Sequence, residues 1–263
     1  MPDDPSPHSE RIAAAADALV TARRSRRPIP TLTSHWPDLS EADAYAIARA
    51  TEAQLAEPRV GYKLGYTSAA MRAQLGVEQP NYGVLTAPTR VVHGGVLAMS
   101  ELIHPLVEPE IAFVMAADVT DAGQTGAAVA SVHAALEIVD TRYEAYRFKA
   151  ADNIADNSSA ARFVIGPPMS LGPDCNLADV PVQLYVDGDL LGEGSGADAL
   201  GHPLTALTWL AQRLLADGTM LRAGDVVLTG GLTRAHAAQP GMRFSSRVGH
   251  PTQGGGEATL RFL

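Results

Sequence analysis

The chain has 263 residues, 46% of them hydrophobic, which is enough for one large globular domain or two small ones. Its formal net charge of -9 argues against nucleic acid or an anionic membrane surface as a partner, and its single cysteine, Cys175, excludes an internal disulfide and a multi-cysteine zinc site. No segment approaches the ~20 apolar residues that cross a bilayer, and no signal-peptide pattern opens the chain, so we expect a soluble, cytoplasmic protein.

The first part of the chain is predicted to be helical. Apolar residues recur at spacings of three and four between positions 9 and 22, behind a candidate cap at Ser9, and the basic run 23–27 suits the C-terminal end of that helix. A second helix is predicted to begin at Ser40, which forms an S-x-x-D start signal with Asp43, and to end before Pro58. Residues 1–57 therefore form a predicted helical N-terminal part.

The sequence changes character after Val60, where short β-branched segments and many glycines predict strands. Asp187-Gly188 is a predicted hairpin turn, and a helix is predicted over 205–217 with Gly218 as its stop. We expect an α+β fold in which residues 58–263 form a β-rich catalytic core and one structural unit. The predicted strands cover 111–115, 135–139, 163–165, 182–186, 226–229 and 258–262.

Three glutamates are candidate metal ligands. Glu108 and Glu110 stand two residues apart at the entrance to an apolar strand, so their side chains point to one face. Glu137 lies inside the apolar run 134–139, where an unpaired carboxylate would be costly. Oxygen donors of this kind favour Mg²⁺ or Mn²⁺ over zinc. Spacing alone leaves a second interpretation open, in which the first two are a solvated pair and Glu137 bonds a nearby cation.

Two further segments carry polar groups beside predicted strands. Lys63 stands alone in the uncharged stretch 61–68, where it is either buried or an exposed strand lysine. The second segment, 154–159, contains Asn157 and Ser159 before the strand around Phe163. By default it forms a turn or a helix cap.

Together these segments resemble the fumarylacetoacetate hydrolase superfamily, and within it the branch of 2-oxopent-4-enoate hydratases and 4-oxalocrotonate (2-oxo-3-hexenedioate) decarboxylases. The resemblance implies a mixed β-sheet roll with peripheral helices, a divalent metal that is Mg²⁺ or Mn²⁺, and a small 2-oxo acid as substrate. It also implies a homo-oligomer and leaves open a complex with a related hydratase or decarboxylase. The matching segments are 61–68, 75–77 with 80–83, 104–113, 135–143, 154–166, 200–203 and 224–231.

The same resemblance implies roles for individual residues. Glu108, Glu110 and Glu137 match the family's metal ligands. Lys63 and Ser159 match catalytic residues that face the substrate. The substrate-binding positions implied by the match are Leu75, Asn81, Arg142 and Asn157.

The resemblance favours decarboxylation of 2-oxohex-3-enedioate, or a close analogue, to a 2-hydroxydienoate in meta-cleavage catabolism of aromatic compounds. Related hydratases carry Asp where this chain has Asn81, and an amide cannot act as a carboxylate base. Hydration of 2-hydroxypenta-2,4-dienoate and a non-catalytic role as partner of a hydratase remain alternatives. A carbon–carbon hydrolase is less favoured because His104, His133 and His202 are each interpreted as structural.

Overall fold

The computed structural model describes residues 6–69, 72–73, 76–172, 174–250 and 254–263. The predicted substrate-binding residue Leu75 lies outside the described residues. Five α-helices lie within these ranges: α1 (Pro7–Ser25), α2 (Leu32–His35), α3 (Glu41–Leu55), α4 (Ala150–Ala155) and α5 (Pro203–Ala216). None of the described helices is both long enough and apolar enough to span a membrane.

The predicted N-terminal helices are present, with one difference at the first cap. The Ser6 side chain, and not that of Ser9, accepts a hydrogen bond at the start of α1. Pro7 explains the earlier start, because proline suits the first helical position, where no N–H is required. At α3 the predicted cap is found, with Ser40 Oγ accepting from the N–H of Asp43 at 3.1 Å.

The strands, which form two sheets, are β1 (Arg59–Gly65), β2 (Asn81–Thr86), β3 (Val96–Leu97), β4 (Leu106–Met115), β5 (Val129–Val139), β6 (Ala160–Pro168), β7 (Pro181–Val186), β8 (Asp189–Ser195), β9 (Val226–Leu228), β10 (His236–Ala237), β11 (Arg243–His250) and β12 (Gly254–Phe262). The seven-stranded sheet has the order β2-β1-β9-β4-β5-β6, with β10 also paired to β4, and the five-stranded sheet has the order β3-β12-β11-β7-β8. Pairing is antiparallel except for β1 with β9 and β12 with β3, so both sheets are mixed.

The predicted strands all correspond to observed ones, and the α+β expectation is confirmed. The Asp187-Gly188 turn joins β7 to β8, as predicted. Strands β2, β3, β10 and β11 were not predicted. The residues of β11 include Ser245, Ser246 and Arg247, so its apolar alternation is interrupted, although it lies between β12 and β7.

Two groups of apolar side chains account for most of the interior. The larger one lies between the two sheets and includes Phe113, Leu136 and Phe244. A separate cluster joins α1 and α3 to α4 and includes Leu19 and Ile47. The helical N-terminal part is thus attached through its own apolar contacts, beside the loop that follows α4. The predicted division of the chain into residues 1–57 and 58–263 stays a prediction.

Candidate metal centre

Strand register brings the three glutamates together. β4 and β5 are antiparallel neighbours, and Glu108 is the register partner of Glu137. Glu110 lies two residues further along β4, on the same face. One carboxylate oxygen from each residue lies within 4.8 Å of the others. Like charges directly opposite one another destabilise a sheet, so this arrangement requires a compensating cation.

Burial makes that requirement stronger. Glu110 and Glu137 are fully buried, and Glu108 is partly buried at the edge of the group. Glu110 Oε2 accepts a hydrogen bond of 2.6 Å from the N–H of Gly230. Within the described part of the chain, Glu110 Oε1 and both oxygens of Glu137 accept no hydrogen bond. Buried carboxylate oxygens without partners carry a large desolvation cost unless a cation lies beside them.

Lys63 of β1 supplies one such cation. Its Nζ lies 3.1 Å from Glu137 Oε2, and both side chains are almost completely buried. The separation is that of an ion pair, although the orientation does not meet hydrogen-bond geometry. The hydrogen bonds of Nζ go instead to the carbonyl oxygen and Oγ of Ser158, at 3.0 and 3.2 Å. Lys63 is therefore buried, which settles the alternative that the sequence left open.

The acid–base properties reflect the crowding of like charges. Burial, reinforced by Glu137, raises the pKa of Glu108 to about 7. Burial and the same neighbour hold the pKa of Glu110 well above its usual range. Burial alone would lower the pKa of Lys63, but the three carboxylates outweigh it and raise that pKa above its ordinary value. Each shift therefore has the direction expected for a site with an excess of negative charge.

The donor set fits a hard divalent cation. Three carboxylates and one ammonium leave a formal charge of -2 when all are ionised, which one divalent ion would balance. Carboxylate oxygens are preferred ligands of Mg²⁺ and Mn²⁺. Gly231 keeps the neighbouring loop close, because a Cβ atom at that position would lie only 2.8 Å from Cδ of Glu108.

The loop after α4 forms the other side of the site. Asn157, Ser158 and Ser159 have φ angles of 52°, 51° and 57°, so three consecutive residues other than glycine are left-handed. Such backbone is strained and is frequently found at functional sites. The loop brings Ser158 to Lys63, while Ser159 accepts a hydrogen bond of 2.9 Å from Asn153 Nδ2.

These groups border a cavity of about 580 Å³, a size typical of small-molecule sites. Lys63, Glu108 and Ser159 lie at its wall, with Asn153 and Ser158 beside them. Much of the remaining wall is apolar, and the charged side chains elsewhere on the lining are Glu193, Asp198 and Arg234. The apolar lining comprises Leu64, Leu106, Val139, Phe148 and Leu232. The cavity therefore combines a polar end at the glutamates with a partly apolar remainder.

Three predicted substrate-binding residues do not line the cavity. Asn81 is buried behind it, where its side chain bonds Asn153 and Ser158. The side-chain amide of Asn157 bonds the backbone of Val84 in β2, where its oxygen accepts from the N–H and its NH₂ group donates to the carbonyl oxygen. In these positions Asn81 and Asn157 hold the left-handed loop, and their predicted roles in substrate binding stay predictions.

Arg142 is also held away from the cavity. Its guanidinium is buried and pairs with the carboxylate and the carbonyl oxygen of Asp156. It also donates to the carbonyl oxygens of Asp140 and Ala160. The donors of Arg142 thus bind groups within the chain, and its predicted role in substrate binding stays a prediction.

The sequence interpretation did not single out Asn153, Ser158, Gly230, Gly231 and Arg234. Ser158 belongs to the polar segment that was assigned a turn or cap by default, and Asn153 immediately precedes it. For Gly230 and Gly231 the signal was their position as a Gly-Gly pair directly after the predicted strand 226–229, and Arg234 follows three residues later. Their proximity to the glutamates depends on the pairing of β9 with β4, which no local pattern reveals.

The three histidines have the structural positions expected of them. His133 is held between Ser131 Oγ and the carbonyl oxygen of Gly166, both at 2.8 Å. His104 Nε2 lies 3.0 Å from the carbonyl oxygen of Thr141. His202 caps α5 through Nδ1, which accepts from the N–H of Leu204.

Comparison with known proteins identifies close relatives. Residues 59–259 match the family described as fumarylacetoacetate (FAA) hydrolase C-terminal. The chain is 36% identical to a 4-oxalocrotonate decarboxylase from Pseudomonas putida, over 97% of each chain. It is 41% identical to a 2-keto-4-pentenoate hydratase from Burkholderia vietnamiensis, over 94% of this chain and 95% of that one.

A solved structure has the same architecture. It is that of 4-oxalocrotonate decarboxylase from Pseudomonas putida G7, complexed with magnesium and adipate. Its TM-score with this chain is 0.89 at 34% sequence identity, and the match covers 97% of this chain and 98% of that chain.

Proposed function

Because the chain belongs to the fumarylacetoacetate hydrolase family, we propose that it is a divalent-metal-dependent lyase that decarboxylates 2-oxohex-3-enedioate or a close analogue. The product would be a 2-hydroxydienoate. The observation that carries the proposal is the group of three glutamates, with buried unpaired oxygens, beside Lys63 at a cavity of small-molecule size.

In this proposal Glu108, Glu110 and Glu137 hold Mg²⁺ or Mn²⁺. The chemistry that such an ion supplies is Lewis-acid stabilisation of negative charge on the 2-oxo head group of the substrate. Lys63 keeps a positive charge beside the carboxylates, and its fixed position costs no reorganisation during the reaction. Ser159 contributes a hydroxyl at the same wall of the cavity.

The reaction requires one bond to break and one proton to be added. The bond between C5 and the distal carboxylate breaks, and CO₂ leaves. The electron pair moves through the conjugated double bond to the 2-oxo oxygen, which takes up a proton to give the enol. The protein therefore needs hydrogen-bond donors at the head group, and Lys63 and Ser159 are the residues to which we assign this role.

Two features of the cavity favour a dicarboxylic acid as the substrate. Arg234 lines the cavity, is exposed, and pairs with no carboxylate in the described part of the chain, so it is available to a second acid group. The apolar wall formed by residues such as Leu106 and Val139 suits the carbon chain between the two acids. Adipate, which is bound in the related decarboxylase structure, is a saturated dicarboxylate of the same chain length as 2-oxohex-3-enedioate.

Hydration of 2-hydroxypenta-2,4-dienoate is the second candidate. It is supported by the 41% identity with the hydratase from Burkholderia vietnamiensis. Its substrate carries the enol form of the 2-oxo acid head group and has only one carboxylate, so it makes no use of Arg234. Hydration also requires water to be delivered and its proton to be accepted.

The test is to offer both substrates to the purified chain with Mg²⁺ and no partner protein. We expect release of CO₂ from 2-oxohex-3-enedioate at a rate well above that of loss of the diene absorbance from 2-hydroxypenta-2,4-dienoate. A dominant hydratase rate would reverse the assignment. If the purified chain has neither activity, and activity appears only when a related hydratase is added, that result would support the non-catalytic alternative.

A further inference from the structure

A chain of four hydrogen bonds runs along the wall of the cavity and passes behind it at Asn81. Lys63 Nζ donates to Ser158 Oγ at 3.2 Å, and Ser158 Oγ donates to Asn81 Oδ1 at 2.9 Å. Asn81 Nδ2 then donates to Asn153 Oδ1 at 2.9 Å, and Asn153 Nδ2 donates to Ser159 Oγ, also at 2.9 Å. Of these five residues, Asn81 is the one that does not line the cavity.

Lys63 fixes which group donates and which accepts in each of the four hydrogen bonds. An ammonium has donors and no acceptor, so Ser158 Oγ must accept from it and must direct its own hydrogen to Asn81. The Asn81 atom on that side is consequently the oxygen, and its NH₂ group faces Asn153. The same reasoning makes the facing atom of Asn153 its oxygen and leaves its NH₂ for Ser159. The orientation of both amides therefore follows from chemistry as well as from coordinates.

The consequence appears at Ser159. Its oxygen accepts from Asn153, and its hydrogen has no acceptor among the described residues, while the side chain lies at the cavity wall. We propose that Asn81 is a positioning residue which, through Asn153, presents the hydroxyl of Ser159 to the substrate as a hydrogen-bond donor. This inference rests on the proposed function in taking a 2-oxo acid as the ligand.

A hydrogen-bond donor at Ser159 suits decarboxylation in particular. Negative charge develops on the 2-oxo oxygen as CO₂ leaves, and a preorganised donor stabilises it in the transition state. Addition of water makes the opposite demand, because the attacking water must give its proton to an acceptor. With Asn153 donating to one of its two lone pairs, the Ser159 hydroxyl has its hydrogen free and meets the first demand. A neutral serine hydroxyl is too weak a base to take a proton from water, so it does not meet the second.

A carboxylate at position 81 would reverse the polarity. Both of its oxygens accept, so it would bond Ser158 on one side and the NH₂ group of Asn153 on the other. The Asn153 side chain would have to turn over, and its oxygen would then accept the hydrogen of Ser159. N81D thus changes the polarity of Ser159 from a buried position outside the cavity.

The test is a double-mutant cycle with N81D, S159A and the double variant, using Mg²⁺ and 2-oxohex-3-enedioate. Loss of one donor to a developing anion costs a factor of about 100 to 1,000 in kcat in well-studied enzymes. Here the donor is reoriented and not removed, so we expect N81D to lower kcat by roughly tenfold or more. In the S159A background the same substitution should change kcat by less than about threefold, because the group through which it acts is gone.

A matched control separates polarity from added charge. N157D adds the same charge nearby, on the loop that Asn81 contacts through Ser158, but Asn157 bonds only the backbone of Val84 and does not belong to the chain of hydrogen bonds. Its effect on kcat should be equal in the parent protein and in the S159A background. If N81D likewise lowers kcat by the same factor in the parent protein and in the S159A background, Asn81 does not act through Ser159 and the proposal is overturned.

A binding cycle keeps this test independent of the proposed reaction. Oxalate offers only acceptors, and calorimetry with Mg²⁺ measures its dissociation constant for the same four proteins. We expect N81D to weaken oxalate binding about fivefold in the parent protein and less than twofold in the S159A background. Absence of decarboxylase activity with this pattern intact would refute the proposed function alone. Equal weakening in both backgrounds would refute the positioning role.

Discussion

The ammonium of Lys63 lies 3.1 Å from Oε2 of Glu137, and both side chains are almost completely buried. This is one positive charge among three carboxylates that lie within 4.8 Å of one another. A buried charge is stable only when it is compensated, and a single ammonium compensates one of the three. The site therefore combines a fixed cation with an excess of negative charge, which is the arrangement expected where a divalent ion binds.

Replacing Glu108 with Gln tests the metal assignment directly. Outer partners of metal ligands are worth about 10-fold to 100-fold in metal affinity, so loss of a ligand should cost at least about 100-fold. Turnover should fall in parallel. Isothermal titration with Mg²⁺ and a steady-state assay measure the two effects. E101Q is the control, because Glu101 pairs with Arg162 at the surface, and unchanged Mg²⁺ affinity in E108Q would exclude the assignment.

Replacing Lys63 with Met removes the fixed cation. The three carboxylates then lack compensation, so the metal-free protein should lose several degrees in Tm, since breaking a buried pair costs about 3–5 kcal/mol. Mg²⁺ should raise the Tm of K63M by more than that of the parent, while kcat falls by roughly 100-fold or more. The chain has one other lysine, Lys149, which is exposed, and K149M should behave like the parent in thermal scans. A metal-free Tm unaffected by K63M would contradict this account.

The stability of the metal-free protein should depend on pH through Glu108. Its pKa is about 7 in the folded protein and 4.5 ordinarily, so the folded state binds more protons between these values. Stability conferred by the proton is complete below pH 4.5 and is lost as the pH rises through 7. Bound Mg²⁺ replaces that proton, so the rise in Tm on adding Mg²⁺ should be larger at pH 8 than at pH 6. E108Q should reduce this difference, as measured by calorimetry in matched buffers.

The sequence predicted the elements that carry the site better than their arrangement. The period of two along β4 correctly put Glu108 and Glu110 on one face. It could not put Glu137 opposite Glu108, because strand register is decided by pairing over a long sequence separation. The resemblance to a family supplied that relationship. Assembly with other chains concerns surfaces that no contact within this chain describes, so the predicted homo-oligomer stays a prediction.

The same limit applies to three residues that were predicted to bind substrate and that lie outside the lining of the cavity. Arg142, Asn81 and Asn157 are polar residues in matching segments, and nothing local distinguishes a side chain directed at a ligand from one that holds a loop. The left-handed loop at 157–159 decides which polar side chains lie at the cavity, because its backbone directs Ser158 to Lys63. Three consecutive left-handed residues other than glycine are not predictable from propensity.

Arg234 should select for substrates with a second carboxylate. R234A is expected to raise KM for 2-oxohex-3-enedioate by roughly three- to tenfold, since an exposed ion pair contributes up to about 1 kcal/mol and a charge-assisted hydrogen bond somewhat more. The KM for 2-hydroxypenta-2,4-dienoate should be unchanged, because that acid has only the head carboxylate. R234K should retain part of the preference. Equal changes in KM for both acids would mean that Arg234 does not contact the second carboxylate.

Arg142 should prove to be a residue of stability and not of substrate binding. Its guanidinium forms a buried pair with Asp156 and bonds the carbonyl oxygens of Asp140 and Ala160, so the loops after β5 and α4 are joined through it. R142M leaves Asp156 as a buried, uncompensated charge, which should cost about 3–5 kcal/mol and lower the Tm by roughly 10 °C. Below that transition, KM should stay within about twofold of the parent, because the side chain lies outside the cavity. A large rise in KM with an unchanged Tm would restore Arg142 as a substrate-binding residue.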